Sequence, residues 1–222
     1  MSFPPAGEEH YQDEEEALEV LEALLLDAVR IRLRSDVPVG AYASGGLDST
    51  TVAALVNRVS PGRLETFSIA FSDPRFDERE YQVKVARFLG TNHHQITCLP
   101  ADIGQVFPNV IRHTEVPLLR TAPAPLFMLS CLVRDCGYKV VLTGEGADEF
   151  LGGYDIFKEM IVRRYWARQS GSRRRPALLG RLYPDITALP GTGSEYLARF
   201  FGQGLQTVTS PTSSHELRWR NT

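Results

Sequence analysis

A short apolar run that ends in a Gly-Gly turn constrains this chain more than any other feature: Val39, Gly40, Ala41, Tyr42 and Ala43 lead into Ser44-Gly45-Gly46-Leu47-Asp48-Ser49-Thr50-Thr51. The run reads as a buried strand, the turn as a backbone loop, and the remainder as a helix opening near Asp48. In that order the N–H groups of Ser44, Gly45 and Gly46 turn inward and the positive end of the helix faces the same spot, which makes an anion site. Glycine at 45 and 46 lets the backbone approach a ligand closely and permits positive φ. The Walker phosphate loop is excluded, because it needs a lysine after its second glycine and the first lysine of the chain is Lys84. The bland alternative makes Asp48 or Ser49 an ordinary N-cap. A cap, however, needs one polar residue and not the whole Ser-Gly-Gly-x-Asp-Ser set.

A second Gly-rich, acidic turn follows the apolar run Val140-Val141-Leu142: Thr143-Gly144-Glu145-Gly146-Ala147-Asp148-Glu149-Phe150-Leu151-Gly152-Gly153-Tyr154. Glu145, Asp148 and Glu149 crowd three carboxylates together, which is unfavourable unless a cation or a bound substrate compensates. Hard oxygen ligands suit Mg²⁺, which takes one or two carboxylates plus phosphate oxygens, so Asp148 can complement Asp48. The same acids would also serve as a solvated turn whose first-turn charges complement a helix dipole. A dinucleotide fingerprint beginning at Gly144 is rejected, since position 149 is Glu where Gly or Ala is required.

The first motif resembles the pyrophosphate loop of the N-type ATP pyrophosphatases. Together the two motifs resemble the synthetase domain of the asparagine synthetases, whose pattern is close to S-G-G-L-D-S followed about a hundred residues later by S-G-E-G-x-D-E-x-x-G-G-Y. The likeness runs from about Asp36 to Tyr154. It implies a Rossmann-like α/β fold of the adenine nucleotide alpha hydrolase type, adenylation of a carboxylate by MgATP, release of pyrophosphate, and attack of ammonia on the activated carboxyl. By resemblance Ser44, Gly45, Gly46 and Ser49 cradle pyrophosphate, Asp48 and Asp148 hold Mg²⁺, and Thr143 and Gly144 meet the nucleotide. The backbone near Ala43 and Ile69 flanks adenine, and Glu145 is the candidate acid/base at the acyl-adenylate. Arg120 and Tyr154 are the candidates for binding the acceptor.

Elsewhere the elements alternate in βα fashion, which predicts a parallel sheet with helices on both faces. A helix is expected over 14–34 with a core-facing stripe of Leu18, Leu21, Leu25, Ala28 and Val29; strands over 37–43 and 64–71; and helices over 49–59 and 78–89. Ligands of open α/β sheets bind outside the carboxyl ends of strands, so the loops after Ala43, Ile69 and Leu142 are expected to converge. His93 and His94 are adjacent in a strand and point to opposite faces, so they read as structural residues and not as a shared metal site. Gln95 stands where the family's G-T-x-H-H-E stretch has Glu, and reads as peripheral. The run 115–125 is Pro-rich, is not expected to form a regular element, and reads as a loop over the crevice. Family members carry an acidic D-P-S-A type sequence there, whereas this chain has Arg120. That arginine either clamps an acceptor carboxylate bidentately or is a solvated loop residue, and the departure puts free aspartate as the acceptor in doubt.

At 222 residues, 43% hydrophobic and 23% charged, the chain can bury one sizeable core and a partial second unit. Its net charge of −3 does not point to nucleic acid, and the cluster Arg173-Arg174-Arg175 reads as solvated surface before tRNA backbone. Three cysteines, Cys98, Cys131 and Cys136, show neither a disulfide framework nor zinc spacing. Without a basic leader or a long apolar run the chain reads as cytoplasmic and not bound to a membrane. A helix is expected over 155–168 with Ile156, Met160, Ile161 and Tyr165 on one stripe, and 207–214 reads as a poorly ordered linker.

Two departures bear on the organisation. Glutamine-dependent members of the resembled family carry a catalytic cysteine directly after the initiator Met, where this chain has Ser2; the ammonia would then come from a glutaminase domain not present in this chain. The lysines are only Lys84, Lys139 and Lys158, while the family completes its ATP site with a distal lysine. The reading is therefore an interior piece of a longer amidotransferase: a linker over 1–13, an ATP pyrophosphatase domain over 14–168, and an incomplete helical or irregular extension over 169–222. The leading expectation is ATP-dependent amide formation on aspartate or an analogue. The alternatives are a β-lactam synthetase-like ligase on another carboxylate, a tRNA-modifying pyrophosphatase, and a non-catalytic nucleotide-binding remnant.

Overall fold

A computed structural model describes residues 13–62, 64–187, 193–210 and 212–220, so the linker expected over 1–13 lies, but for Asp13, outside the described residues. The chain divides into two compact units, residues 1–145 and 146–222. The first contains α1 (Glu14–Arg32), β1 (Val39–Tyr42), α2 (Leu47–Val59), β2 (Glu65–Phe71), α3 (Arg79–Leu89), β3 (Asn92–Cys98), α4 (Pro100–Thr114), α5 (Pro123–Asp135) and β4 (Val140–Leu142). Its four strands are all parallel, in the order β3-β2-β1-β4. The chain winds outward from β1 through β2 to β3, then returns to pair β4 on the other side of β1. The strand order therefore reverses between β1 and β4, the place where α/β sheets open a crevice for ligands.

Helices cover both faces, as the βα alternation predicts. On one face Ala41 of β1 is buried with Ala53 and Val56 of α2 and Val29 of α1; on the other, Phe67 of β2 is buried against Leu129 and Val133 of α5. Ala41 and its neighbour Tyr42 thus serve opposite layers, the period-2 alternation of a strand. Helix α1 starts where Asp13 accepts a hydrogen bond from the Glu16 N–H (2.7 Å), with three glutamates in its first turn and arginines in its last, both favourable to the helix dipole. Its buried stripe differs from the one expected: Leu25, Leu26, Val29 and Leu33 pack inward, while Ala28 is exposed and Leu18 is 57% exposed. The Pro-rich run is irregular only as far as Ala122. Pro123 and Pro125 sit in the first turn of α5, where a missing N–H leaves no intrahelical bond unmade.

The second unit is helical: α6 (Ala147–Leu151), α7 (Asp155–Ala167), a 3-10 turn at Arg175–Leu178, α8 (Leu179–Leu182), α9 (Pro184–Thr187), α10 (Gly193–Phe201), a 3-10 turn at Leu205–Thr207 and α11 (Ser213–Trp219). It has its own core, built on Met160, Trp166, Leu179, Leu197, Phe201 and Leu217, with Tyr183 stacked on Phe201 at 5.4 Å. The stripe expected on α7 is corrected: Ile161 is 69% exposed, and the buried face is instead Glu159, Met160, Arg163 and Trp166. The segment expected to be a loose linker is also corrected. Val208 and Ser213 are buried, Ser213 Oγ donates to the Ser210 carbonyl (2.6 Å), and Arg164 Nε donates to the Val208 carbonyl (3.2 Å). Small hydroxyl residues read as low complexity in sequence, but here their hydroxyls satisfy a tight turn.

Candidate functional site

The loop after β1 closes on its own serines. The Ser49 hydroxyl, buried under the loop, accepts from the Ser44 N–H (3.1 Å), lies 2.8 Å from Ser44 Oγ and donates to the Gly46 carbonyl (3.3 Å). Ser44 Oγ in turn accepts from the Gly46 N–H (3.3 Å), so the N–H groups of Ser44 and Gly46, expected to face an anion, bond within the loop here. Gly45 has φ +87°, and a Cβ there would stand 2.7 Å from Tyr81 Cβ and 3.0 Å from the Gln82 N of α3. Only glycine fits, because the conformation is left-handed and the space is filled. The N-cap of α2 is Gly46, with no side-chain cap hydrogen bond. The ordinary-cap reading of Asp48 and Ser49 therefore fails: Asp48 lies inside the helix and Ser49 bonds backward to the loop. Although Asp48 lies in the first turn of α2, no side chain caps that turn, which leaves its N–H groups open to an anion.

The second motif reaches the same place from β4. Ala41 of β1 pairs with Leu142, so the next residues leave the sheet beside the phosphate loop. A Cβ on Gly144 would lie 2.7 Å from the Ser49 N and 2.8 Å from the Asp48 carbonyl carbon. The backbone of Gly144 thus lies directly on the first turn of α2. Thr143 and Glu145 are exposed; the Thr143 hydroxyl accepts from the Glu145 N–H (3.4 Å), and no hydrogen bond or ion pair holds the Glu145 carboxylate among the described residues. Gly144→Ala is expected to lower stability by about 1–3 kcal/mol, the usual cost of overpacking, and to weaken MgATP at least about tenfold, or about 1.4 kcal/mol. Denaturant unfolding and calorimetry on the same variant check both, and an unchanged nucleotide affinity would separate Gly144 from the site.

Asp148 and Tyr154 belong to the second unit, where Asp148 is in α6 and the Tyr154 hydroxyl donates to Glu149 (3.1 Å). Among the described residues no three His, Cys, Asp or Glu side chains gather into a metal site. A nucleotide-bound Mg²⁺ needs only one or two carboxylates, so it does not depend on such a cluster. Arg120 is exposed on the irregular run before α5. Ala43 is buried and its N–H extends the ladder to the Phe67 carbonyl (3.0 Å), while the Ile69 carbonyl accepts from Gln82 Nε2 (3.0 Å).

The histidines do face opposite ways. His93 sits between the Thr66 and Ser68 hydroxyls (3.0 Å each), and burial pushes its pKa down. His94 stacks on Phe67 at 5.2 Å and bonds to the Glu65 carboxylate. Gln95 is not peripheral: its amide donates to Gln82 Oε1 (2.7 Å), which also accepts from Ser68. This network fixes Gln82, and with it the Tyr81–Gln82 backbone packed on Gly45. The sequence offered one signal for it, polar residues at alternate positions, Thr66 and Ser68 in β2 and His93, Gln95 and Thr97 in β3. Of the arginine cluster, Arg175 is committed to the fold, donating to the Tyr165 carbonyl (2.7 Å) and lying 4.3 Å from its ring centroid.

A parallel α/β sheet carrying a lysine-free Gly-rich loop and an acidic Gly-rich turn at its switch point defines a class, the phosphate-loop domains that lack a Walker lysine. Within that class the chain belongs to the asparagine synthase family, whose model matches residues 20–220. Similar proteins include asparagine synthetase [glutamine-hydrolyzing] 1 of Bacillus subtilis, 35% identical over 177 residues, which is 78% of this chain and 28% of that protein. Amidase chyE of Penicillium rubens is 32% identical over 176 residues, 73% of this chain and 26% of the amidase. A Mycobacterium bovis protein, named provisionally as a glutamine-hydrolysing asparagine synthetase, is 39% identical over 142 residues, 64% of this chain and 22% of its own length. The chain spans about a quarter of the length of these relatives. No helix among the described residues is long and apolar enough to cross a membrane.

Proposed function

We propose that this chain is the ATP-binding part of an asparagine synthetase-type ligase that works in the cytoplasm. A carboxylate oxygen of the acceptor attacks the α-phosphorus of ATP and pyrophosphate leaves. Ammonia then attacks the acyl carbon, the C–O bond to AMP breaks, and the excess proton of the amine passes to a base. Ammonia comes from glutamine hydrolysis in a separate domain or from solution. The observation that carries the reading is the contact of Gly144 with the uncapped first turn of α2, which joins the two motifs into one anion site. Ser44, Gly45, Gly46 and Ser49 receive the pyrophosphate part, and Thr143 and Gly144 meet the nucleotide, with Ala43 and Ile69 toward adenine. Asp48 and Asp148 would hold Mg²⁺, which neutralises charge on the leaving pyrophosphate. Glu145 takes the acid/base role, since its carboxylate is uncommitted beside Gly144.

Aspartate is the first candidate acceptor, with Arg120 and Tyr154 as candidates to position it. A different carboxylate is the second reading, favoured by Arg120 in place of the family's acidic run and by two relatives named amidases. A tRNA substrate is disfavoured because Arg175 is spent on Tyr165. Asp48→Asn tests the nucleotide site: it is expected to weaken MgATP at least tenfold, in line with about 1.5–3 kcal/mol for a contact to a charged group, with little loss of stability. Equal affinity by calorimetry would refute the assignment of Asp48 to the metal. Tight MgATP binding with no pyrophosphate release under any acceptor would instead mark a non-catalytic remnant.

A further inference from the structure

The first unit holds a cavity of about 780 Å³, of which the reading above uses only Arg120. It lies at the carboxyl ends of β2 and β3, between the loop that follows β2, the start of α4, and the run that leads into α5. Its volume falls within the range of pockets that bury drug-sized ligands, well beyond what a four-carbon amino acid fills. Phe71, Phe76, Ile103 and Pro125 give it apolar walls.

The charges around it are unevenly spent. Arg75 is bound to Asp73 through both Nε (3.1 Å) and Nη2 (2.6 Å), its guanidinium 5.5 Å from the Phe76 ring centroid. Those hydrogen bonds hold the Asp73 carboxyl at about 2, so the pair stays charged and mutually satisfied. Asp77 faces Arg79 at 4.0 Å. Arg120 also lines the cavity, and among the described residues no carboxylate pairs with it. A guanidinium is a fixed fork of donors that matches a carboxylate. The Glu78 carboxylate also lines the cavity and makes no ion pair among the described residues, so Arg120 is the one uncommitted cation beside an apolar chamber.

We propose that this cavity binds the acceptor, and that the acceptor is a carboxylic acid with a bulky apolar or aromatic body, held by a second, non-reacting carboxylate on Arg120. The assignment rests on the ligase reading above, with the second of its two acceptors, a carboxylate other than aspartate. Aspartate would satisfy Arg120 but leave the Phe71, Phe76 and Ile103 surface in contact with water. An acid carrying an aromatic ring satisfies both, and burial of the ring adds hydrophobic free energy that aspartate does not supply.

The test is calorimetry on the full chain with 2-benzylsuccinate and succinate as probes, each with and without saturating MgATP, on the wild type, Arg120→Met and Phe76→Ala. The wild type is expected to bind benzylsuccinate at least about tenfold more tightly than succinate, an advantage of about 1.4 kcal/mol or more, and MgATP is not expected to displace it. Arg120→Met should weaken benzylsuccinate by a similar factor, and Phe76→Ala should erase most of its advantage over succinate. Equal binding of the two acids, or an unaffected Arg120→Met, would overturn the proposal. Displacement by MgATP would assign the cavity to the nucleotide and overturn it as well. If benzylsuccinate binds as expected but MgATP does not bind at all, the ligase reading fails and the acceptor assignment falls with it, while the preference for an apolar acid stands as a separate fact.

Discussion

In the complete ligase, Glu145→Gln is expected to lower acceptor-dependent pyrophosphate release by about 10²–10⁴-fold, the usual contribution of a general acid or base, while MgATP binds with essentially unchanged affinity. The carboxylate of Glu145 is exposed and makes no ion pair among the described residues, so the substitution removes nothing that the fold relies on. The backbone at this point is fixed by other means. Gly144 lies on the first turn of α2, and the Thr143 hydroxyl accepts from the Glu145 N–H (3.4 Å). Glutamine has the same shape and hydrogen-bonding reach but does not exchange a proton at neutral pH, so the variant isolates proton transfer from positioning. The measurement is pyrophosphate release under saturating MgATP, ammonia and acceptor, compared with calorimetric MgATP affinity. Full turnover in the variant would remove Glu145 from the catalytic set, and a parallel loss of MgATP affinity would move it to nucleotide binding.

Glu159→Ala is expected to destabilise the second unit by about 3–5 kcal/mol, the cost of breaking a buried ion pair from one side. Glu159 is fully buried. It accepts from Arg218 Nη2 (2.8 Å) and from the Tyr183 hydroxyl (2.9 Å), and faces Arg163 Nη1 at 3.8 Å. Arg163 is only 2% exposed and donates to the carbonyls of Phe201 (3.2 Å), Gln203 (2.7 Å) and Ser213 (3.3 Å). Alanine at 159 would leave that guanidinium buried without its counter-charge. It would also leave the Tyr183 hydroxyl, whose pKa burial and the Glu159 charge push up to about 12, without its acceptor. Glu159→Gln keeps an acceptor for Tyr183 and should cost less, so the difference between the two variants reports the charge. Urea unfolding followed by tryptophan fluorescence, to which Trp166 and Trp219 of the second unit contribute, measures both, and a loss below about 1 kcal/mol for Glu159→Ala, the size of a surface pair, would show that Arg163 finds water or another partner.

Much of the first unit was legible because its signals are local. An apolar run marked β1 and alternating apolar residues marked β2, Gly-Gly and Gly-x-Gly turns marked the loops after β1 and β4, and the βα alternation implied a parallel sheet. Helix α4 was missed: its start is a Leu99 N–H bond to Asp102 (2.8 Å) behind a proline, and another proline, Pro108, lies inside it. Gln95 was misjudged for a different reason. Its place in one motif suggested the periphery, whereas its partners, Gln82 and Ser68, come from two other elements.

By itself the sequence determined the two motifs, their order, and the chemistry that their residue types can support, because turn geometry, helix polarity and hydrophobic period are properties of short stretches of chain. Tertiary structure alone decided that β4 lies beside β1, and this brings Gly144 onto Asp48 and Ser49. It also decided that α2 begins without a side-chain cap, since Ser49 turns back to Ser44 instead. The stripe on α7 makes the same point. Ile161 and Met160 are equally apolar in sequence, and which of them is buried depended on where a charged residue could find partners from distant segments, as Glu159 does with Tyr183 and Arg218. Local sequence sets what a face can offer, but the free energy of burying a charge is set by groups far along the chain, and only their arrangement in space fixes which face turns inward.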